Sequence, residues 1–239
     1  MSTNNLIINF IHQERNRFSD RRNNSVAFSF GQITRYHNFL QIILQRYKEA
    51  SKDFIANTKQ LQEHAKNGGG TMGNEMQAIW ETSLTLTDDL HLQMESFYLF
   101  SKIMLDKTSQ AVEHYYGNER GISLVSHHKL SQCFPEYTKM KGLSNPSEFL
   151  LNLIAELQEK ICDFRDDIIT HMNNPRSMKA TMFQFDTGET WISEHKVYPK
   201  DGEIQNQGLA PTRLIKALEQ YIEEMINYIR QNKDKAKLE

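Results

Sequence analysis

Arg165 and His171 are the residues whose types and spacing best suit work on a phosphodiester. They sit in the run Cys162-Asp163-Phe164-Arg165-Asp166-Asp167-Ile168-Ile169-Thr170-His171-Met172-Asn173-Asn174-Pro175. A guanidinium that never deprotonates, beside an imidazole titrating near neutrality, offers a charge clamp and a proton acceptor together. On an ideal helix the two side chains stand about 120° apart, because six residues advance by about 600° at 3.6 residues per turn. They converge only where the helix ends or distorts near Thr170, and Asn173-Asn174-Pro175 stops propagation there. Asp166 and Asp167 pull two ways. Carboxylates repel phosphate, whereas Asp167, one turn ahead of His171, would orient the imidazole and favour its charged form. The same residues also suit a solvated helix end, where a protonated His favours the macrodipole.

Other groups offer less. Arg15, Arg17, Arg21 and Arg22 form a basic cluster interleaved with Phe18 and followed by Asn23 and Asn24, the pattern of a phosphate-contacting arm or of a segment that packs against a subunit. Arg120 and His127 repeat an Arg-to-His spacing, but around Gly117 and Gly121 and without a preceding amphipathic helix. His127-His128 with Cys133 and His114 lacks metal-ligand spacing, so no metal is expected. Gly68-Gly69-Gly70 has no Lys-Ser/Thr after it and no strand before it, which excludes a phosphate loop. A Gly-x-Ser-x-Gly elbow is absent as well, and no cofactor is implied.

These residues are carried by four stretches of helical spacing. The first runs from about Gln32 to Lys66, on Ile33, Tyr36, Phe39, Leu40, Ile43, Tyr47 and Phe54, and ends at the three glycines. The second runs from about Glu75 to Tyr116 and closes at Gly117; at roughly 60 Å it calls for a kink or break near Thr85–Asp89. Its Met94, Phe97, Phe100 and Met104 read as core. The third opens after Asn145-Pro146-Ser147 and carries the cleanest apolar stripe: Leu150, Ile154, Leu157, Ile161, Phe164 and Ile168. The last follows Pro211-Thr212 with Leu214, Leu218, Tyr221, Ile222, Met225 and Ile229 inward. Leu124–Leu130 suits a short helix. Met182–Phe185 and Trp191-Ile192 flank Asp186-Thr187-Gly188, the pattern of a β-hairpin. The expected fold class is all-α: a helical bundle with a small inserted β-hairpin before the last helix. Residues 1–30 form an N-terminal segment without a clear pattern; residues 31–239 form one helical domain with the hairpin insertion at about 177–200.

Composition fits that reading. The 239 residues are 38% hydrophobic, 10% aromatic and 24% charged, too apolar for a disordered chain. Only 11 Gly and 5 Pro are present, which argues against an all-β sandwich or barrel. The 28 basic against 30 acidic residues give a formal charge of −2, so any nucleic-acid site must be local rather than a property of the whole surface. No apolar run approaches membrane-spanning length, the first ten residues lack the marks of a signal peptide, and two cysteines make no disulfide framework. A cytoplasmic protein without membrane contact is expected.

The Arg165–His171 segment resembles the HEPN superfamily of small helical proteins, many of them metal-independent ribonucleases. The family signature is an Arg, a polar residue, a few more residues and a His at the C-terminal end of a long bundle helix. Arg165, Asp166 and His171 fit it, with five residues between Arg and His. Glu95–Lys107 is similar to the partner helix of such proteins, and the likeness extends over roughly Gln77–Arg230. It implies an RNA endonuclease in which His171 moves the proton, Arg165 holds the phosphate oxygens, and a 2′,3′-cyclic phosphate is left. It further implies a homodimer whose two motifs share one cleft, and a toxin or antiviral defence setting with an antitoxin or other partner. The hairpin departs from the family pattern. It leaves open a catalytically inactive HEPN-like module that binds a protein partner or a nucleotide.

Overall fold

The computed structural model describes residues 2–67, 73–163, 178–184, 190–197, 204–205 and 210–239. Six α-helices make up most of them. They are α1 (Thr3–Glu14), α2 (Asp20–Asn67), α3 (Asn74–Tyr116), α4 (His127–Met140), α5 (Glu148–Leu157) and α6 (Pro211–Gln231). A 3-10 turn at Arg15–Arg17 joins α1 to α2. Among the described residues no helix is long and apolar enough to cross a membrane.

Helix α2 begins at Asp20, twelve residues before the expected start at Gln32. Its buried positions explain why: Val26, Phe30, Ile33, His37, Leu40, Leu44 and Tyr47 alternate steps of four and three from its first turns onward. Helix α3 lies along it, and the two bury a second, smaller cluster of Tyr47, Ala50, Phe54 and Leu90, with Leu86 packed against it. The helical assignment of α3 is unbroken through Thr85–Asp89, where a kink or break was expected. Leu86 and Leu90 pack on α2 within that stretch, which supports the continuous helix. The hydroxyls of Thr82, Thr85 and Thr87 bond back to the carbonyls of Ala78, Glu81 and Ser83 one turn earlier, so they do not compete with the helix.

The main core takes Ile7 and Phe10 from α1, Phe18 after it, and buried residues of all the later helices. Within it, the expected inward stripe of α6 is buried at each position from Leu214 to Ile229. So are Met94, Phe97 and Met104 of α3, with Phe100 half-buried. Helix α4 is longer than the expected Leu124–Leu130 turn. Ser126 caps it by accepting from the Lys129 N–H, and its Leu130, Phe134 and Tyr137 enter the core despite Pro135. Helix α5 starts under the Ser147 cap and buries Leu150, Ile154 and Leu157 as expected. It then leaves α geometry for a π turn, Gln158–Asp163, which buries Ile161 and Cys162. The later members of that stripe, Phe164 and Ile168, lie outside the described residues. For the expected hairpin at about 177–200, the turn 185–189 also lies outside them.

The end of α3 needs glycine. Gly117 ends α3 at φ 84° and ψ 161°, a region essentially closed to residues with a side chain. A Cβ there would also stand 2.7 Å from Cδ of Lys237. Gly117→Ala is therefore expected to cost about 2 kcal/mol of stability, within the 1–3 kcal/mol typical of such strain. Urea unfolding of the two proteins measures it, and equal midpoints would show that the turn relaxes freely.

Candidate functional site

Arg165, Asp166, Asp167 and His171 all lie outside the described residues. What is described is the approach to them. The π turn ends at Asp163, two residues before Arg165, with Gln158 donating to the Asp163 carboxylate at 2.7 Å. Departures of this kind from α geometry recur at functional sites.

Behind that turn lies a buried polar cluster. His127, in the first turn of α4, is fully buried. Its Nε2–H donates to the Ile154 carbonyl of α5 at 3.1 Å, and its backbone N–H donates to Asp106 Oδ1 of α3 at 2.8 Å. The Tyr221 ring of α6 stands edge-on to it at 5.5 Å. Because the carbonyl accepts from Nε2, Nδ1 carries the lone pair, and it is buried with no hydrogen-bond partner among the described residues. Burial pulls the imidazole down to a pKa of about 4, a result that the Ile154 carbonyl and the Asp106 charge only partly oppose. Neutral His127 thus ties α3, α4 and α5 together. Its spacing to Arg120 and to His128 does not point to this role, since its partners lie 21 and 27 residues away.

The arginine segment is brought against the ends of α3 and of the chain. Arg15 donates to the side-chain oxygens of Asn23 (2.8 Å) and Asn24 (3.1 Å). Arg17 pairs with the buried Glu14 and donates to the Lys233 carbonyl at 2.8 Å, while Glu14 also accepts from the Tyr115 hydroxyl at 2.6 Å. Arg21 is exposed. Arg22 is different: it turns inward, stacks over the Phe18 ring at 5.5 Å and donates through Nη2 to the His114 carbonyl.

Beside Arg22 is a pocket of about 290 Å³ lined by Arg22, Glu113, His114, Gly117, Asn118 and Lys237. Three chain segments build it. Arg22 comes from the start of α2, and Glu113 and His114 come from the last turn of α3. Lys237 comes from a tail laid across both, held by Lys237 N–H to the Tyr115 carbonyl (3.0 Å) and Ser19 N–H to the Leu238 carbonyl (3.1 Å). The His114 Nε2 meets Ser25 Oγ at 3.0 Å. That hydroxyl donates to the Arg22 carbonyl, so Nε2 is the donor toward Ser25. Burial, and then the Arg22 charge, hold the His114 imidazole below the usual histidine value. Arg22 was among the residues singled out in the sequence; His114 and Lys237 were not linked to it, because separations of 92 and more residues leave no periodic trace.

Among the described residues no group of three or more His, Cys, Asp or Glu side chains could hold a metal ion. Neither Cys133 nor Cys162 is in a disulfide. The fold thus defines a bundle of two long and four shorter helices with a polar notch at one end. Compared with models of known protein families, with curated proteins and with solved structures, the chain matches none.

Proposed function

We propose that the chain is a metal-independent RNA endonuclease of HEPN type, with Arg165 and His171 as its catalytic pair. The observation that carries this is the end of the third apolar rod. Its Leu150, Ile154, Leu157 and Ile161 are seated in the core, and the backbone leaves regular helix at Gln158, just ahead of the motif. The turn lies ahead of both residues, and a guanidinium and an imidazole six residues apart face one another only if the helix also ends or distorts between them, as Asn173-Asn174-Pro175 favours. Cleavage then follows from elementary requirements. His171 takes the proton from the ribose 2′-hydroxyl as that oxygen attacks the adjacent phosphorus. Arg165 holds the phosphate oxygens as charge builds on them. The 5′-oxygen leaves and takes up a proton from water to become a 5′-hydroxyl, and the other strand end keeps a 2′,3′-cyclic phosphate. DNA, lacking the nucleophile, is inert. Incubating RNA with the protein in excess chelator tests the reading: cleavage must persist and must leave cyclic phosphate ends.

An inserted hairpin at about 177–200 belongs to the same proposal. In its support, the backbone of Met178–Gln184 runs antiparallel to Thr190–Val197, with Gln184 opposite Thr190 and Met178 opposite Lys196. So does a cytoplasmic setting, where two unbridged cysteines are ordinary.

Homodimerisation, with two motifs sharing one cleft, is the third element. Both long helices carry exposed apolar side chains a whole number of turns apart: Phe28 (68% exposed) and Ile42 (53%), about four turns apart on α2, and Leu92 (60%) and Leu99 (45%), about two turns apart on α3. Such side chains outside the packed seam suit a second copy. Light scattering is expected to find a dimer for the wild type and a monomer for Ile42→Glu or Leu99→Glu. A wild-type monomer at tens of micromolar would remove the shared cleft.

A further inference from the structure

We propose that the pocket bounded by Arg22, His114, Asn118 and Lys237 is a binding site for a phosphate group. The inference stands apart from the cleavage proposal, because none of its residues belongs to the Arg165–His171 motif.

Charge is the first reason. Two permanent cations line the pocket, and its one carboxylate, Glu113, already accepts the Leu124 N–H at 3.1 Å. Among the described residues no acid pairs with Arg22 within ion-pair range, so its guanidinium is partly desolvated without a counter-charge. Donor geometry is the second. Nη2 of Arg22 is fixed on the His114 carbonyl and the group is stacked on Phe18, while Nη1 is buried with no hydrogen-bond partner. A planar fork held this way, with one donor still unsatisfied, is preorganised for an oxyanion. A buried unsatisfied donor is uncommon enough in a native fold to call for an explanation, and a bound oxyanion supplies one here.

The other two side chains are placed as well. The stem of Lys237 passes directly over Gly117, whose missing Cβ makes room for it, and its backbone is pinned to Tyr115. His114, anchored to Ser25 through Nε2, gains a second N–H when it takes a proton. An anion entering the pocket favours that protonation against the opposing Arg22 charge. The volume of about 290 Å³ is at the small end of ligand cavities, and it takes a phosphate together with part of the molecule that bears it. The phosphate could be free or part of an RNA backbone.

Calorimetric titration of the full chain with inorganic phosphate, at constant ionic strength set by chloride, tests the site. A short single-stranded RNA titrated into the His171→Ala protein is the second probe. Saturable binding of either probe is expected, and Lys237→Glu weakens it about tenfold or more, as loss of a charged hydrogen bond does. Arg22→Lys, which keeps charge but not the fork, weakens it similarly. If Arg22→Lys does not fold, Lys237→Glu decides alone, since Lys237 is an exposed residue of the tail. RNA that displaces inorganic phosphate identifies the backbone of a polymer as the source; phosphate binding that RNA leaves untouched identifies a free phosphate or monoester. No saturable binding of either probe, or affinities unchanged by Lys237→Glu, overturns the proposal.

Discussion

His171→Ala is expected to lower chelator-resistant RNA cleavage by a factor of about 100 or more, the range in which a positioned proton acceptor contributes. Arg165→Ala is expected to cost a similar factor, by removing donors from the oxygens on which charge develops. The two losses should not multiply in the double variant, because both side chains serve one transition state. The cleavage rate is read with end-labelled RNA in EDTA, and the same strand as DNA serves as the inert control. Either substitution is expected to change stability by about 1 kcal/mol or less, so thermal melts separate lost chemistry from lost fold. Cleavage at equal rates in wild type and both variants would place the activity elsewhere or in a contaminant. The inactive-module alternative then gains, with Arg22, His114 and Lys237 as its natural point of contact with a nucleotide.

Most of the helical architecture was legible because its signal is local. The inward stripe of α6 and the first half of the third rod follow from steps of three and four. Pro146-Ser147, Pro211 and Gly117 mark the ends where they should. The failures have physical reasons. The start of α2 was hidden because Arg21, Arg22, Asn23, Asn24 and Ser25 surround its first buried residue, Val26, with polar side chains. Tertiary contacts spend that polarity: Arg22 on the His114 carbonyl, Asn23 and Asn24 on Arg15, and Ser25 on His114. The break expected in α3 does not occur because a partner helix of equal reach supports it, a fact no window of its own sequence contains. Helix α4 runs ten residues past the expected Leu124–Leu130 segment, although it contains Pro135. That proline stands nine residues in, where Phe134 and Tyr137 on either side are buried and hold the helix together. For the site, a motif can be read from spacing within one rod. The phosphate pocket cannot, since it assembles residues from the start of α2, the end of α3 and the C-terminal tail.

The buried His127 makes acid stability the second large effect. Its folded pKa, about 4, lies below the unfolded value of about 6.5. Above pH 6.5 both states hold the imidazole neutral and the protein has its full stability. Between 6.5 and 4 the unfolded chain takes a proton that the folded one refuses, so stability falls with pH through that window. The loss reaches about 3 kcal/mol by pH 4, at 1.36 kcal/mol for each unit of separation. Other charges near the ring, Asp106, Lys102 and His128, modulate the value but not its direction, because burial dominates. Urea unfolding at pH 7.5 and pH 4.5 measures the effect, with His127→Gln as the comparison. The Gln amide nitrogen keeps a donor for the Ile154 carbonyl but has no proton to gain, so this variant is less stable at neutral pH and much less pH-sensitive. An equal acid loss in both proteins would assign it to carboxylates instead. A flat profile in the wild type would mean that water reaches Nδ1 inside the bundle.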